Sequence, residues 1–119
     1  MTTVEIWHNP RCTKSRQTLA LLEEHELEPT IVLYLEKPPS QARLKTVVKL
    51  LGGDVQTLLR SQEADYKALG LKEASTAECI KAMTTHPKVI ERPVVIVKNG
   101  ATEHAAIGRP PSNVLDILP

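Results

Sequence analysis

At 119 residues with a hydrophobic fraction of 41%, the chain is long enough to bury one core and too short for two, so a single domain over 1–119 is expected. Lys and Arg number 15 against 14 Asp and Glu, and the formal net charge of +1 offers no chain-wide field to hold a polyanion. Trp7, Tyr34 and Tyr66 are the only aromatics, too few for base-stacking platforms, so neither DNA nor RNA is an expected partner.

The first element expected is a strand over Thr3 to Trp7, where Val4 and Ile6 alternate with polar residues before Asn9-Pro10 stops the pattern. From Thr13 to about Glu26 the spacing turns helical, with Leu19, Leu22 and Glu26 marking one face. Thr30 to Leu35 is nearly all apolar or β-favouring and predicts a strand buried on both faces. Pro38-Pro39-Ser40 then opens a helix through Leu44, Val47, Val48 and Leu51 that ends at Gly52-Gly53. Asp54 caps a short further helix carrying Val55, Leu58 and Leu59. Ser75 and Glu78 form a capping box for a helix to about Thr85, stopped by His86-Pro87. Two strands, Pro93 to Val97 and Ala101 to Ile107, flank Asn99-Gly100, a hairpin signal in which both residues take positive φ. Pro110-Pro111-Ser112 starts a last helix through Val114, Leu115 and Leu118.

The order β-α-β, helical segment, β-β-α predicts an α/β, thioredoxin-like fold with a helical insertion at about 40–86. A proline at the start of a strand, as Pro93 is after Arg92, suits that fold, where a cis X-Pro bond is usual, and the sequence leaves the isomer of Arg92-Pro93 open. The longest apolar runs, Ile31 to Leu35 and Val94 to Val97, fall far short of the roughly 20 residues a membrane-spanning helix needs. The N-terminus lacks the basic flank and long apolar region of a signal peptide, so a cytoplasmic location is expected, where thiols stay reduced. Cys12 and Cys79 match no metal-ligand spacing, and neither a disulfide nor a metal site is expected. Small size and an unexceptional surface composition favour a monomer.

Cys12 follows Asn9-Pro10-Arg11 and precedes a helix, so the first-turn N–H groups can point at its sulfur, with Arg11, Lys14 and Arg16 adding positive charge. A pKa lowered by about two units from ~8.5 raises the thiolate fraction at pH 7 from ~3% to ~75%, while intrinsic nucleophilicity falls about eightfold. The net gain is only about threefold, so catalysis must come mostly from positioning an electrophile. Arginines suit that task, because a guanidinium binds a tetrahedral oxyanion through two parallel hydrogen bonds.

His8-Asn9-Pro10-Arg11-Cys12 with Ser15-Arg16, Leu33-Tyr34-Leu35-Glu36, Leu58-Leu59-Arg60, His86-Pro87, Glu91-Arg92-Pro93 and Gly108-Arg109-Pro110 together resemble the glutathione/glutaredoxin-coupled arsenate reductases, the ArsC-like family. The resemblance spans nearly the whole chain. It implies that Cys12 attacks arsenate, that Arg60, Arg92 and Arg109 hold the oxyanion and the covalent arsenic adduct, and that His8 helps keep the thiol ionised. It further implies that glutathione attacks the adduct as co-substrate and glutaredoxin completes a two-electron reduction releasing arsenite, with no bound cofactor or metal. Asn9, Ser15, Arg16 and Pro93 support the loop. In the best-characterised members small residues separate the cysteine from the serine, whereas Thr13 and Lys14 stand here. Cys79, between Glu78 and Ile80, is expected to pack inside a helix, and His25, His86 and His104 lack partners at ligand spacing.

Other chemistries compete. A phosphatase-like loop, Cys-x5-Arg, is excluded because Thr18 stands six residues after Cys12. A two-thiol oxidoreductase needs Cys-x-x-Cys, and Ser15 occupies the second position, which leaves a monothiol glutaredoxin-like enzyme as one alternative. A redox regulator of the same fold that binds RNA polymerase is the other, disfavoured by Ser15 and by the three arginines.

Overall fold

The computed structural model describes residues 2–119. These form two compact units, one built from the chain up to Tyr34 together with Arg92–Pro119, the other from Leu35–Glu91. The first unit holds a four-stranded sheet of β1 (Thr2–Trp7), β2 (Thr30–Val32), β3 (Val94–Asn99) and β4 (Thr102–Ile107), in the order β2-β1-β3-β4. β2 runs parallel to β1 across the crossover helix α1 (Thr13–Glu24), and β3 and β4 run antiparallel to their neighbours. The β-α-β and β-β halves, separated in sequence by a helical segment, make the expected thioredoxin-like α/β fold.

Alternation along the two central strands turns Val4 and Ile6 of β1, with Val95 and Val97 of β3, onto one face. There they join Leu22 of α1 and Val114 of a C-terminal 3-10 helix, Pro111–Ile117, in a buried cluster. Full burial of such a side chain contributes about 1.5 to 3 kcal/mol, so this cluster fixes α1 against the sheet. On the other face Trp7 is buried and its indole N–H donates to Glu5 Oε2 at 2.8 Å. Val94 to Val97 are all buried, as a central strand requires.

Several expectations need correction. The strand expected over Thr30 to Leu35 is only Thr30–Val32, and Ile31 and Leu33 are 48% and 38% exposed rather than buried on both faces. β2 is an edge strand of the sheet, and apolar composition alone does not distinguish an edge from a centre. The buried face of α1 is Ser15, Thr18 and Leu22, not the expected set of Leu19, Leu22 and Glu26. Glu26 lies beyond the helix at φ 59°, where its N–H and that of Leu27 return to Glu23 and Leu22 carbonyls, a Schellman-type stop usually given to glycine. The hairpin turn is centred on Gly100 and Ala101, since Asn99 pairs with Thr102. Only the glycine takes positive φ, at 63°, the pattern of a turn with Gly at its first central position. The last helix is a 3-10 helix, with Leu115 exposed.

The second unit contains α2 (Gln41–Leu50), a 3-10 helix Val55–Leu58, α3 (Ala64–Ala68), α4 (Thr76–Thr85) and a 3-10 turn Pro87–Val89. Ser40 caps α2 by accepting from the Arg43 N–H, and Gly53 N–H closes it onto Val48 O. Asp54 caps the first 3-10 helix, and the Ser75–Glu78 capping box is present in full. Leu44, Val47, Leu58, Met83 and Val89 are fully buried, and an antiparallel bridge joins Leu59 to Ile90. The short helix α3, absent from the sequence reading, is tied in by the Tyr66 hydroxyl donating to Gln56 Oε1 at 2.7 Å.

Gly108 marks a close approach in the first unit. A methyl group placed on it lies 2.5 Å from Thr18 Oγ1 and 2.9 Å from Pro93 Cγ, so α1, the Arg92-Pro93 corner and the exit of β4 meet without room for a side chain. Gly108→Ala is expected to lower stability by about 1 to 3 kcal/mol, the usual range for overpacking. Thr18→Ala in the same chain should recover part of the loss in denaturant melts, and an unchanged midpoint for Gly108→Ala alone refutes the close packing.

Candidate functional site

Strand register gathers three loops at one end of the sheet. Trp7 pairs with Val94, and Val94 with Ile107, so the chain leaving β1, the chain entering β3 and the chain leaving β4 emerge side by side. His8 to Cys12, Arg92-Pro93 and Gly108-Arg109 follow or precede these three residues directly. All belong to the first unit.

The cysteine loop is held by its own polar groups. Asn9 accepts the Cys12 N–H on its carbonyl and the Arg11 N–H on its side-chain Oδ1, each at 3.0 Å, and its N–H donates to Ser15 Oγ at 3.0 Å. Ser15 is fully buried, and its hydroxyl shares a 2.7 Å hydrogen bond with His8 Nδ1. His8, 6% exposed, also donates its backbone N–H to Val32 O. Arg16 donates to Pro10 O at 3.0 Å and to Thr13 Oγ1 at 3.3 Å, strapping the start of α1 to the loop.

Cys12 is the N-cap of α1, with φ −92° and ψ 122°, and no side-chain hydrogen bond caps the helix. Its sulfur lies beside the first turn. Partial burial pushes the thiol pKa up, but the Ser15 N–H, the charge of Arg92, the Lys14 N–H and a hydrogen bond from the Arg92 side chain outweigh burial and leave it below the ordinary thiol value. Arg109 Nη1 stands 3.8 Å from Sγ, a long contact, so Arg92 is the stronger electrostatic partner and Arg109 a second cation at the same atom. The His8 pKa is held below its usual value, first by burial and then by the charge of Arg16, which favours a neutral imidazole near pH 7.

The residues singled out from sequence therefore separate. Cys12, Arg92 and Arg109 meet at one sulfur; His8, Asn9, Ser15 and Arg16 hold the loop. The Arg92-Pro93 bond is cis, and Pro93 O accepts the Gly108 N–H at 2.9 Å. A second cis bond, Arg109-Pro110, was not anticipated, and the Asn113 side chain donates to Arg109 O at 3.0 Å beside it. Arg60 belongs to the second unit, where its Nη1 lies 3.5 Å from Glu63 Oε2 and its N–H donates to Val89 O. Cys79 is fully buried, and burial with the neighbouring Glu78 charge raises its pKa, the setting of an inert thiol.

Thr18 escaped the sequence reading as a site residue. Its hydroxyl donates to Lys14 O at 2.8 Å and it packs under Gly108, and the spacing Ser15, Thr18, Leu22 was the available signal for that buried face. Among the described residues no group of three or more His, Cys, Asp or Glu is arranged to hold a metal ion, and no helix is long and apolar enough to cross a membrane.

A sulfur at a helix start with arginines from two further loops also has relatives. The model of the ArsC family matches residues 7–117. An arsenate reductase of Haemophilus influenzae is 48% identical over 97% of this chain and 98% of its own length, and a protein of Escherichia coli named uncharacterized protein YfgD is equally identical over 97% and 96%. The solved structure of an arsenate reductase from Vibrio cholerae superposes with a TM-score of 0.90 at 45% identity over 98% of each chain. Since the family model takes in β1's end, the cysteine loop and both arginine corners in one continuous match, the chain belongs to the ArsC family.

Proposed function

We propose that the protein is an arsenate reductase in which Cys12 forms a covalent adduct with arsenic and glutathione with glutaredoxin provides the electrons. One observation carries this reading: a thiol with a depressed pKa stands at the start of α1 with Arg92 and Arg109 both directed at its sulfur. A thiolate alone is a modest catalyst, whereas guanidinium groups fixed beside it gather a tetrahedral oxyanion and stabilise the charge that builds on its oxygens. The names of the relatives support arsenate as that oxyanion.

In the proposed cycle the Cys12 thiolate attacks arsenic(V), a sulfur–arsenic bond forms and one arsenate oxygen leaves as water after taking up protons. Arg92 and Arg109 hold the remaining oxygens, and Arg60, carried by its Leu58-Leu59-Arg60 motif, is the third cation. Glutathione then displaces a second arsenic oxygen as water, the glutaredoxin thiol takes the glutathione sulfur as a mixed disulfide so that arsenic gains two electrons, and a second glutathione frees glutaredoxin by leaving as glutathione disulfide. Hydrolysis frees arsenite and returns the Cys12 thiolate. Overall, arsenic acid and two glutathione thiols become arsenous acid, glutathione disulfide and water. His8 acts on Cys12 through Ser15: their hydrogen bond anchors the residue whose N–H reaches the sulfur. Thiol chemistry carries every step, without a bound cofactor or metal, in a cytoplasmic pool of reduced glutathione and with the protein as a monomer.

The first test is arsenate-dependent NADPH oxidation by the purified protein with glutathione, glutaredoxin and glutathione reductase. Turnover should vanish in Cys12→Ser and persist in Cys79→Ser. Equal losses would indicate a two-thiol mechanism, and no turnover above the Cys12→Ser control turns attention to a monothiol oxidoreductase or a polymerase-binding regulator. Arg92→Ala should lower kcat/KM at least 10-fold, about 1.4 kcal/mol of transition-state stabilisation, and unchanged kinetics return Arg92 to the role of a surface cation.

A pH profile checks the same geometry. Because the folded-state pKa of Cys12 is the lower one, its thiolate contribution to stability is complete above the unfolded-state pKa and is lost as pH falls through the depressed value. The rate of Cys12 alkylation by iodoacetamide should accordingly rise with a midpoint below ~8.5, and Arg92→Gln should move that midpoint upward. A midpoint at the ordinary value in the native protein excludes the activated thiol.

A further inference from the structure

Five cations lie on the loops that bear the site: Arg11, Lys14, Arg16, Arg92 and Arg109. They are not equivalent. Arg92 and Arg109 address the Cys12 sulfur, and Arg16 is engaged by Pro10 O and Thr13 Oγ1. The side chains of Arg11 and Lys14 are exposed and meet no carboxylate or hydrogen-bond acceptor among the described residues. They are also close in the chain to the thiol, one directly before it and the other in the first turn of α1, whose Lys14 N–H helps to lower the thiol pKa.

The only acid beside these five cations in sequence is Glu91, next to Arg92. No Asp or Glu occurs from Trp7 through Leu22 or from Gly108 through Leu115, and the first turn of α1 carries no acid. One thiolate and one dianionic oxyanion bring three negative charges to Arg92, Arg109 and the loop, and the exposed side chains of Arg11 and Lys14 have no acid on their own segment of chain. Attack on an anionic adduct by a second anion is opposed by repulsion unless cations lie along the approach, and an unscreened patch of one sign raises the local concentration of the opposite one.

We infer that Arg11 and Lys14 form an anion-selective entrance to Cys12 that takes the carboxylates of the incoming thiol, glutathione under the proposed function. The inference rests on that reading for the identity of the thiol, and on Cys12 being the reacting sulfur. Glutathione carries two carboxylates and one ammonium group, so its net negative charge lies away from its sulfur and can meet the two side chains while the sulfur reaches the adduct. The side chains of Arg11 and Lys14 touch neither the Cys12 sulfur nor the oxyanion; they set which co-substrate arrives.

Iodoacetate and iodoacetamide separate this role from the reactivity of the thiol. Both alkylate by the same displacement, in which an S–C bond forms as iodide leaves, but only iodoacetate is an anion. Any change in the Cys12 pKa cancels in the ratio of their rates. That ratio should fall about two- to fivefold in Arg11→Gln and in Lys14→Gln and further in the double variant, as expected for exposed charges. Added salt should lower it in the native protein far more than in the double variant, since at 0.1 M the screening length is about 10 Å. In the coupled assay the KM for glutathione should rise in the variants while kcat is kept. An unchanged ratio in the double variant overturns the entrance even where arsenate turnover is intact. A lower ratio with an unchanged KM for glutathione removes glutathione as the anion, and a lower ratio in a protein without arsenate turnover keeps the entrance while the arsenate reading falls.

Discussion

A sulfur held below the ordinary thiol pKa at the start of α1 sets the requirements that the rest of the first unit meets. Helices leave their first N–H groups without intrahelical partners, and a serine, threonine or aspartate oxygen usually accepts them. Here Cys12 stands at that position without a capping hydrogen bond from its side chain, and the nearby Ser15 and Lys14 N–H groups lower the pKa of its sulfur. A neutral thiol is a poor acceptor and a thiolate a good one, so the capping requirement of the helix and the ionisation of the cysteine favour one another. The cap works only if Cys12 keeps its extended backbone, and this explains why Asn9 directs three separate groups at the loop around it.

Placement of the arginines follows from strand register rather than from local sequence. Since β1 and β4 flank β3, with Trp7, Val94 and Ile107 abreast, residues some eighty and ninety-seven positions from Cys12 arrive at the same end of the sheet. A one-residue slip would turn every inward side chain of a strand outward, and the buried set of Val4, Ile6, Val95 and Val97 opposes any such slip. The absent side chain at Gly108 then lets β4's exit settle over Thr18 and Pro93. The core that stabilises the sheet is thereby the device that aims Arg109.

Much of this was legible in the chain, and most of the failures share one cause. Most caps and stops were readable because they depend on neighbours within about five residues: Ser40, Asp54, the Ser75–Glu78 box and the Gly52-Gly53 stop all stand where the sequence implied. The stop at Glu26 and the turn at Gly100-Ala101 are local exceptions, and the rest of what went astray depended on tertiary position. Thr30–Val32 looks like a central strand by composition and lies at an edge; Ser15 and Thr18 look like the solvent side of α1 and are buried because the site end of the helix packs polar groups inward. The cysteine and its loop were identifiable from motif spacing, whereas the division between Arg92 and Arg109, which bear on the sulfur, and Arg16, which braces the loop, required coordinates.

The chemistry of electrons makes the last connection. The sequence contains two cysteines, and one of them, Cys79, is fully buried with its pKa raised. Ser15 holds the position from which a second thiol would resolve a disulfide, and its hydroxyl is committed to His8 and Asn9. A single accessible sulfur that gives up two electrons is left as a sulfenic acid, and it returns to the thiol through a bond with a second sulfur. For a two-electron reduction the second sulfur must therefore come from another molecule. That requirement makes the approach to Cys12 as consequential as the thiol itself, and it is along this approach that Arg11 and Lys14 stand with their charges unspent.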